Sequence, residues 1–214
     1  MHHVGNDIVD LGAPGAKNKT ARFIRKILTP DEADELRQSA SPDVRLWAFW
    51  AAKETAYKVI SKSHPGADFS PLRYHTAFSR SNGNLLQGKV ETPHGRVVVK
   101  VYLFQSHIHC IGTDDLHNNL GKVLWGYRTI DSSACESPAV RELAIDHIAR
   151  RIGMNTHEME IRNDIHNYGT GPPRLYVKGE KAPIDISLSH DERFVGWAFA
   201  PLQSSGKTVC PEQI

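Results

Sequence analysis

Three short stretches of this chain carry residue types able to do polar chemistry. In Trp50-Ala51-Ala52-Lys53-Glu54-Thr55-Ala56-Tyr57-Lys58, Glu54 and Lys58 stand four residues apart, so on a helix they share one face, together with Trp47 and Ala51. Such a pair is either a solvent-facing ion pair worth about 0.2–0.5 kcal/mol, or a proton-abstracting or metal-binding carboxylate beside an ammonium that neutralises phosphate. In Gly5-Asn6-Asp7-Ile8-Val9-Asp10, Asp7 directly follows Gly-Asn at or within an apolar strand. A carboxylate there is costly to bury unless it is hydrogen-bonded, ion-paired or metal-bound; as a turn residue it would cap local amides instead. In Ile186-Ser187-Leu188-Ser189-His190-Asp191 a strand ends in small hydroxyls and a histidine. Ser189-His190 alone says little, since a nucleophilic serine needs a third, orienting group that no spacing here assigns.

These stretches need elements to hold them. Residues 4–9 read as a short strand, followed by a loop rich in Gly and Ala and a basic segment at 17–26. Thr29-Pro30-Asp31-Glu32 supplies an N-cap, a proline for the first helical position and a capping box, opening a short helix through Leu36. Ser41-Pro42-Asp43 repeats the cap-and-proline signal before a longer helix, with Leu46, Phe49, Trp50, Ala56, Tyr57 and Ile60 near the helical period. Turn signals at Ser81-Asn82-Gly83-Asn84 and Pro93-His94-Gly95 precede stretches rich in β-branched and aromatic residues at 96–104 and 108–112. A polar linker follows at 114–119.

The same grammar then recurs. It runs through a strand at 123–128, a cap and proline at Ser137-Pro138, and a helix carrying Val140, Leu143, Ala144, Ile148 and Ile152, with Gly153 at its exit. Strands at 159–162, 184–188 and 194–200 follow, with a Gly- and Pro-rich loop at 168–174. The sequence therefore predicts an α+β fold of two halves, 1–114 and 120–203, each a helix packed on a small antiparallel sheet, and a frayed polar tail at 204–214.

Composition narrows the class. At 214 residues, 40% hydrophobic and 23% charged, the chain can bury a core without disulfides, and collagen-like, coiled-coil and disordered classes are excluded. No apolar run approaches the roughly 18 residues of a membrane span, and the opening Met1-His2-His3-Val4 lacks a secretory signal. Cys110, Cys135 and Cys210 are odd in number and widely spaced, as expected of a cytoplasmic protein. A net charge of +2 gives no support to a dedicated nucleic-acid binder, but it conceals the local basic segment at 17–26. None of the 12 histidines forms a His-x-x-x-His or His-Glu-x-x-His array.

Together the three stretches resemble the 4′-phosphopantetheinyl transferase superfamily. Its members carry a Gly-x-Asp motif, a (Trp/Phe)-x-x-Lys-Glu-(Ala/Ser)-x-x-Lys motif and a Ser-His motif at a strand end. Here these are Gly5-Asn6-Asp7, the Trp50 to Lys58 stretch with Thr55 in the small-residue place, and Ser189-His190. Asp7-Ile8-Val9-Asp10, Arg22-Phe23 followed by Ile27-Leu28-Thr29, and Ser187-Leu188-Ser189-His190 add likeness to the short, holo-acyl-carrier-protein synthase type. Short members assemble as trimers with sites between subunits, whereas long members, the surfactin-synthetase-activating type, fuse two pseudo-symmetric halves. This chain has the long size and the short type's motif order. The resemblance thus implies two fused halves in permuted order, a monomer, and one site in the cleft between them.

The resemblance also implies an activity: transfer of the 4′-phosphopantetheine arm of coenzyme A onto a serine of an apo acyl or peptidyl carrier protein, releasing adenosine 3′,5′-bisphosphate. Asp7, Glu54 and Lys58 would form the catalytic set. Asp7 and Glu54 would hold Mg²⁺ or Mn²⁺, assisted by Asp10 in the place of the short type's Glu, with Val9 where long members have an acidic residue. Glu54 would also take the proton of the carrier serine, and Lys58 would neutralise the bridging or departing phosphate. Ser189 and His190 would bind coenzyme A phosphates. Proline replaces the family's Gly-Lys-Pro lysine in Gly171-Pro172-Pro173-Arg174, which passes that role to Arg174 or Lys178. Arg141 is either another phosphate contact or a solvated helix residue. Arg22, Phe23, Arg25 and Lys26 match the segment that docks the carrier's acidic helix, and the carrier could serve fatty-acid, polyketide or nonribosomal-peptide synthesis. Two alternatives stand beside this reading. A non-catalytic carrier-protein or coenzyme A binding module would not need Asp7, Glu54 and Lys58, and a Mg²⁺-dependent phosphohydrolase would leave the basic segment unexplained.

Overall fold

Val4-Gly5-Asn6-Asp7-Ile8-Val9-Asp10 forms β1 (Val4–Asp10), a strand buried along its whole length, because both of its faces are covered. The computed structural model describes residues 2–13, 20–117, 120–131, 134–166 and 169–202, without the side chains of 80–82, 164–166 and 169. β1 is the edge of a five-stranded antiparallel sheet completed by β2 (His75–Asn82), β3 (Leu85–Thr92), β4 (Gly95–Leu103) and β5 (His107–Thr113), in the order β1-β5-β4-β3-β2.

Three helices lie between β1 and β2: α1 (Ala21–Ile27), α2 (Pro30–Gln38) and α3 (Pro42–Ile60). Sequence reasoning sees only a basic segment where α1 forms, since seven residues are too few to show a helical period; Thr20 Oγ1 caps it through the Phe23 amide at 3.2 Å. The capping box forms as expected, with the Thr29 amide 2.8 Å from Glu32 Oε2. Pro42 opens α3, but the Ser41 side chain makes no cap there.

α3 packs on β1, β5 and β4, and its alanines at 48, 51, 52 and 56 are fully buried. The approach is close enough to dictate glycine on the sheet. A Cβ on Gly5 would lie 2.4 Å from Thr55 O, and one on Gly112 would lie 2.7 Å from Thr55 Cγ2. Two strand glycines thus make room for the helix backbone and for the Thr55 side chain.

The second unit comprises β6 (Leu124–Thr129), α4 (Glu136–Ile152), β7 (Met159–His166), β8 (Gly169–Val177), β9 (Glu180–Lys181), β10 (Ile184–Asp191) and β11 (Phe194–Pro201). They form two three-stranded sheets, β10-β11-β6 and β7-β8-β9, with α4 packed across β10, β11 and β7. In both units the first strand pairs antiparallel with the last, β1 with β5 and β6 with β11. The expected α+β arrangement of helix on antiparallel sheet is therefore present twice.

Details of the second half differ from expectation in two places. α4 starts at Glu136, before Ser137-Pro138, while Gly153 ends it in the left-handed region at φ 70° as anticipated. The Gly- and Pro-rich segment is strand β8 rather than loop. Pro172 and Pro173 are tolerated because β9 pairs only with Tyr176 and Val177, leaving one side of β8 open at the prolines, and the β7–β8 register shifts beside Pro173. The predicted tail at 204–214 lies outside the described residues.

Alternation along the strands builds the contact between units. Gly5, Asp7 and Val9 face α3, whereas Asn6 and Asp10 face β10 and β11. β1 is an edge strand, so every second amide needs a partner. β10 supplies side chains for three of them: Asp185 Oδ2 accepts from the Val4 amide at 2.7 Å, Ser187 Oγ from Asn6 at 2.9 Å and Asp191 Oδ2 from Asp10 at 2.7 Å. A small apolar core of Val4, Ile111, Leu120, Val123 and Ala198 closes the rest of this interface.

Candidate active site

Lys58, one helical turn after Glu54 on α3, does not pair along its own helix. Its Nζ crosses to β1 and donates to Asp7 Oδ1 at 2.8 Å. Asp7, Glu54 and Lys58, which sequence spacing could only set side by side on paper, thus meet where α3 crosses β1. On one side of them lies a cavity of about 700 Å³, lined by Asp7, Val9, Phe23, Trp47, Trp50 and Glu54 from the first half and by His190, Asp191 and Glu192 from the second. On the other lies a cavity of about 430 Å³ with Lys58, Lys62 and Ser61 facing Thr170, Gly171, Pro172, Pro173 and Ser187.

The charges are sorted between the two. The charged walls of the larger cavity are carboxylates, with His190 Nδ1 held 2.7 Å from Glu136 Oε2 at the start of α4. Burial pushes the Asp7 carboxyl up against the opposing pull of Lys58. Burial, and next the charge of Asp7, push Glu54 up to about 7. Asp191 is raised too, by burial foremost. In the smaller cavity both charged residues are lysines. Lys62 is committed internally: its Nζ donates to Val4 O at 2.6 Å, Ile186 O at 2.6 Å and Asp185 Oδ2 at 2.7 Å.

Other expected residues take different positions. Asp10 is fully buried, and both of its oxygens are engaged, by Arg193 Nη2 at 2.6 Å and Nε at 2.7 Å and by the Gly12 amide at 2.8 Å. Burial alone would raise its pKa, but those bonds hold it below the usual range. Three residues along a strand separate it from Asp7, an odd number, so the two carboxylates point to opposite faces. That parity is legible in the sequence and argues against Asp10 sharing a cation with Asp7. Ser189 and His190 separate for the same reason. Ser189 Oγ accepts from Asn6 Nδ2 at 2.6 Å inside the interface, while His190 lines the larger cavity.

Arg174 lies 3.3 Å from Asp185, and Arg141 reaches Asn163 Oδ1 at 2.6 Å; neither lines the two cavities. Lys178 Nζ lies 3.4 Å from Glu158. Arg22, Arg25 and Lys26 are exposed on α1, and Phe23 turns inward to Trp47, ring centroids 5.8 Å apart. Sequence reasoning missed Asp191, Glu192 and Arg193. The first two directly follow Ser189-His190, a usable signal, whereas nothing local announces the pairing of Arg193 with Asp10.

Residues 3–101 match the family model of the 4′-phosphopantetheinyl transferase superfamily. The first half of this chain is similar to members of that superfamily. Two of the superfamily motifs, Gly5-Asn6-Asp7 and the stretch from Trp50 to Lys58, lie within the matched residues, and Ser189-His190 lies beyond them. The crystal structure of Thermotoga maritima holo-[acyl-carrier-protein] synthase aligns with a TM-score of 0.40 at 13% identity, covering 85% of this chain and 86% of that one. No curated protein matches. That likeness supports phosphopantetheinyl transfer as the general class of activity.

Proposed function

We propose that this transferase moves the 4′-phosphopantetheine arm of coenzyme A onto a serine of an apo acyl or peptidyl carrier protein. The observation that carries this reading is the charge sorting around the Asp7–Lys58 pair: carboxylates on the side of the larger cavity, lysines on the side of the smaller. A pyrophosphate bound across that seam would meet an ammonium on one side and a cation held by carboxylates on the other, which is what attack at its β-phosphate requires.

Asp7 and Glu54 fit a hard divalent cation such as Mg²⁺ or Mn²⁺. Both carboxylates line one cavity, and each raises the energy of ionising the other, a repulsion that such an ion relieves. Among the described residues no group of three or more His, Cys, Asp or Glu side chains could hold a metal. Asp7 and Glu54 would then be its protein ligands, and waters and phosphate oxygens would fill the remaining positions. When bound, the ion would neutralise charge on the pyrophosphate.

The chain's own groups do the rest. Glu54, facing the cavity beside Trp47 and Trp50, accepts the serine proton directly or through a water, and its raised pKa suits a base working near neutrality. Lys58 can shift from Asp7 to the departing phosphate without leaving the seam. His190 contacts phosphate from the opposite wall. Ser189 acts by holding Asn6, and through it β1, in place. Both walls of the larger cavity come from one chain, so a monomer suffices.

Incubation with coenzyme A, Mg²⁺ and a panel of apo carrier proteins, followed by intact-mass measurement, tests the proposal. Carriers should gain the mass of the phosphopantetheine arm. Hydrolysis of coenzyme A with no carrier modified would favour a phosphohydrolase, and no reaction with carrier binding would favour a binding module.

A further inference from the structure

Two lysines one turn apart reach out from the end of α3, and they are held in opposite ways. The turn runs on past Ile60, since the Ser61 amide donates to Tyr57 O at 2.8 Å and the Lys62 amide to Val59 O at 3.3 Å, so Lys62 falls on the Lys58 face. Lys58, its side chain 28% exposed, reaches Asp7. Lys62 has its side chain only 1% exposed, and its Nζ meets three acceptors: Val4 O on β1, and Ile186 O and Asp185 Oδ2 on β10. The alanine face of α3 packs on the first sheet; Lys62 carries the helix end across to β10 in the second half.

Asp185 is equally committed. It accepts from the Val4 amide at 2.7 Å, and Arg174 Nη1 lies 3.3 Å from its other oxygen. Burial opposes its ionisation, yet Lys62 foremost among its partners holds the carboxyl at about 2, so it is charged at neutral pH. A buried ion pair is a weak source of stability, because its desolvation offsets its attraction. Its charge-assisted hydrogen bonds do fix geometry. Lys62 stands in the wall of the smaller cavity, where Lys58 and Ser61 face Ser187, Pro172 and Pro173.

We propose that Lys62 is a positioning residue for Lys58: by tying the end of α3 to β10 it sets the width of the smaller cavity, and so the place where the Lys58 ammonium meets a phosphate of coenzyme A. This rests on the transferase reading and deepens it. Of two lysines on one helix face, one is kept for the substrate and the other is spent on holding the walls together.

Calorimetric titration with coenzyme A in Mg²⁺ buffer, urea melts and transfer kinetics on a set of variants test this. Lys62→Met leaves Asp185 without its ammonium and should lower the urea midpoint. Lys62→Met with Asp185→Asn removes both charges and keeps an acceptor for the Val4 amide, so the midpoint should return toward wild type. The Kd for coenzyme A should nevertheless stay raised about tenfold, with the carrier KM unchanged. In a Lys58→Met background the same two substitutions should change that Kd by less than about twofold, because they act through Lys58. Wild-type affinity for coenzyme A in the Lys62→Met, Asp185→Asn protein would make Lys62 a purely structural residue and overturn the proposal, as would a tenfold loss that persists without Lys58. Affinity that depends on Lys62 only while Lys58 is present, with no carrier modified, would uphold the positioning role and overturn the transferase reading.

Discussion

Lys58 Nζ and Asp7 Oδ1 lie 2.8 Å apart, joining α3 to β1 at the seam between an acidic cavity and a basic one. On the transferase reading, Asp7 would hold this ammonium at rest and an incoming phosphate would compete for it.

If Glu54 is the base and Asp7 its partner in cation binding, Glu54→Gln and Asp7→Asn should each lower kcat by about 10²- to 10⁴-fold while far-UV circular dichroism stays unchanged. Near wild-type turnover at saturating Mg²⁺ in either variant would refute the assignment. Asp10→Asn should behave differently, because Asp10 pairs with Arg193 rather than facing the cavity: its loss should appear first as lowered stability.

Gly5 is required by distance rather than by turn conformation. Gly5→Ala places a Cβ 2.4 Å from Thr55 O and 2.8 Å from Val59 Cγ2, so α3 must move off β1. Overpacking of this kind costs about 1–3 kcal/mol, and Asp7, two residues along, moves with the strand. Urea denaturation should show the loss and activity should fall, whereas Gly66→Ala, with nothing within 4 Å of its Cβ, should leave the urea midpoint unchanged.

Lys53 and Glu32 form a buried pair, Nζ to Oε2 2.6 Å, and Glu32 also accepts from the Thr29 and Thr76 amides. Burial lowers the Lys53 pKa despite Glu32, so the ammonium depends on its acceptors. Lys53→Met leaves the carboxylate buried with no counter-charge, expected to cost about 3–5 kcal/mol. Lys53→Met combined with Glu32→Gln should recover part of that stability in urea melts, and a double variant no more stable than Lys53→Met would show that the charge is not the cause.

Two histidines of β5 make folding sensitive to acid. His107 stacks on Phe194 with ring centroids 4.3 Å apart, and His109 Nε2 lies 3.2 Å from Asn6 Nδ2. Burial pushes His107 down from 6.5 to about 4 and His109 to about 3. At these two rings the unfolded chain therefore binds more protons than the folded one below pH 6.5. The stability conferred by keeping the rings neutral is complete above that value and falls as pH drops toward 4, by about 2 kcal/mol per histidine at pH 5. Measured from pH 7.5 to 5, the urea midpoint of His107→Phe, which keeps the ring stack, should rise relative to that of the wild type as pH falls. A difference that does not change with pH would remove His107 from the account.

Much of the candidate site's geometry was legible along the chain because its cues are local. The i to i+4 spacing put Glu54 and Lys58 on one side of a helix, the Thr29–Glu32 capping box formed as read, and Gly153 ended its helix. Period-two alternation would also have separated Asp7 from Asp10, and Ser189 from His190. Lys53 and Glu54 likewise diverge on α3, one pinning the scaffold and the other facing the cavity.

Residue order thus set the helices, the strands and which side chains share a face, since these depend on contacts within a few residues and on backbone periodicity. Packing set the rest. Arg193 meets Asp10 across 183 positions, Asp185 meets Lys62 across 123, and Asp191 and Glu192 join Asp7 and Glu54 around one cavity. Those meetings arise because β1, an edge strand with unpaired amides, had to find acceptors, and the alternating polar side chains of β10 supplied them. No rule that reaches four residues along the chain can announce a partner on another strand.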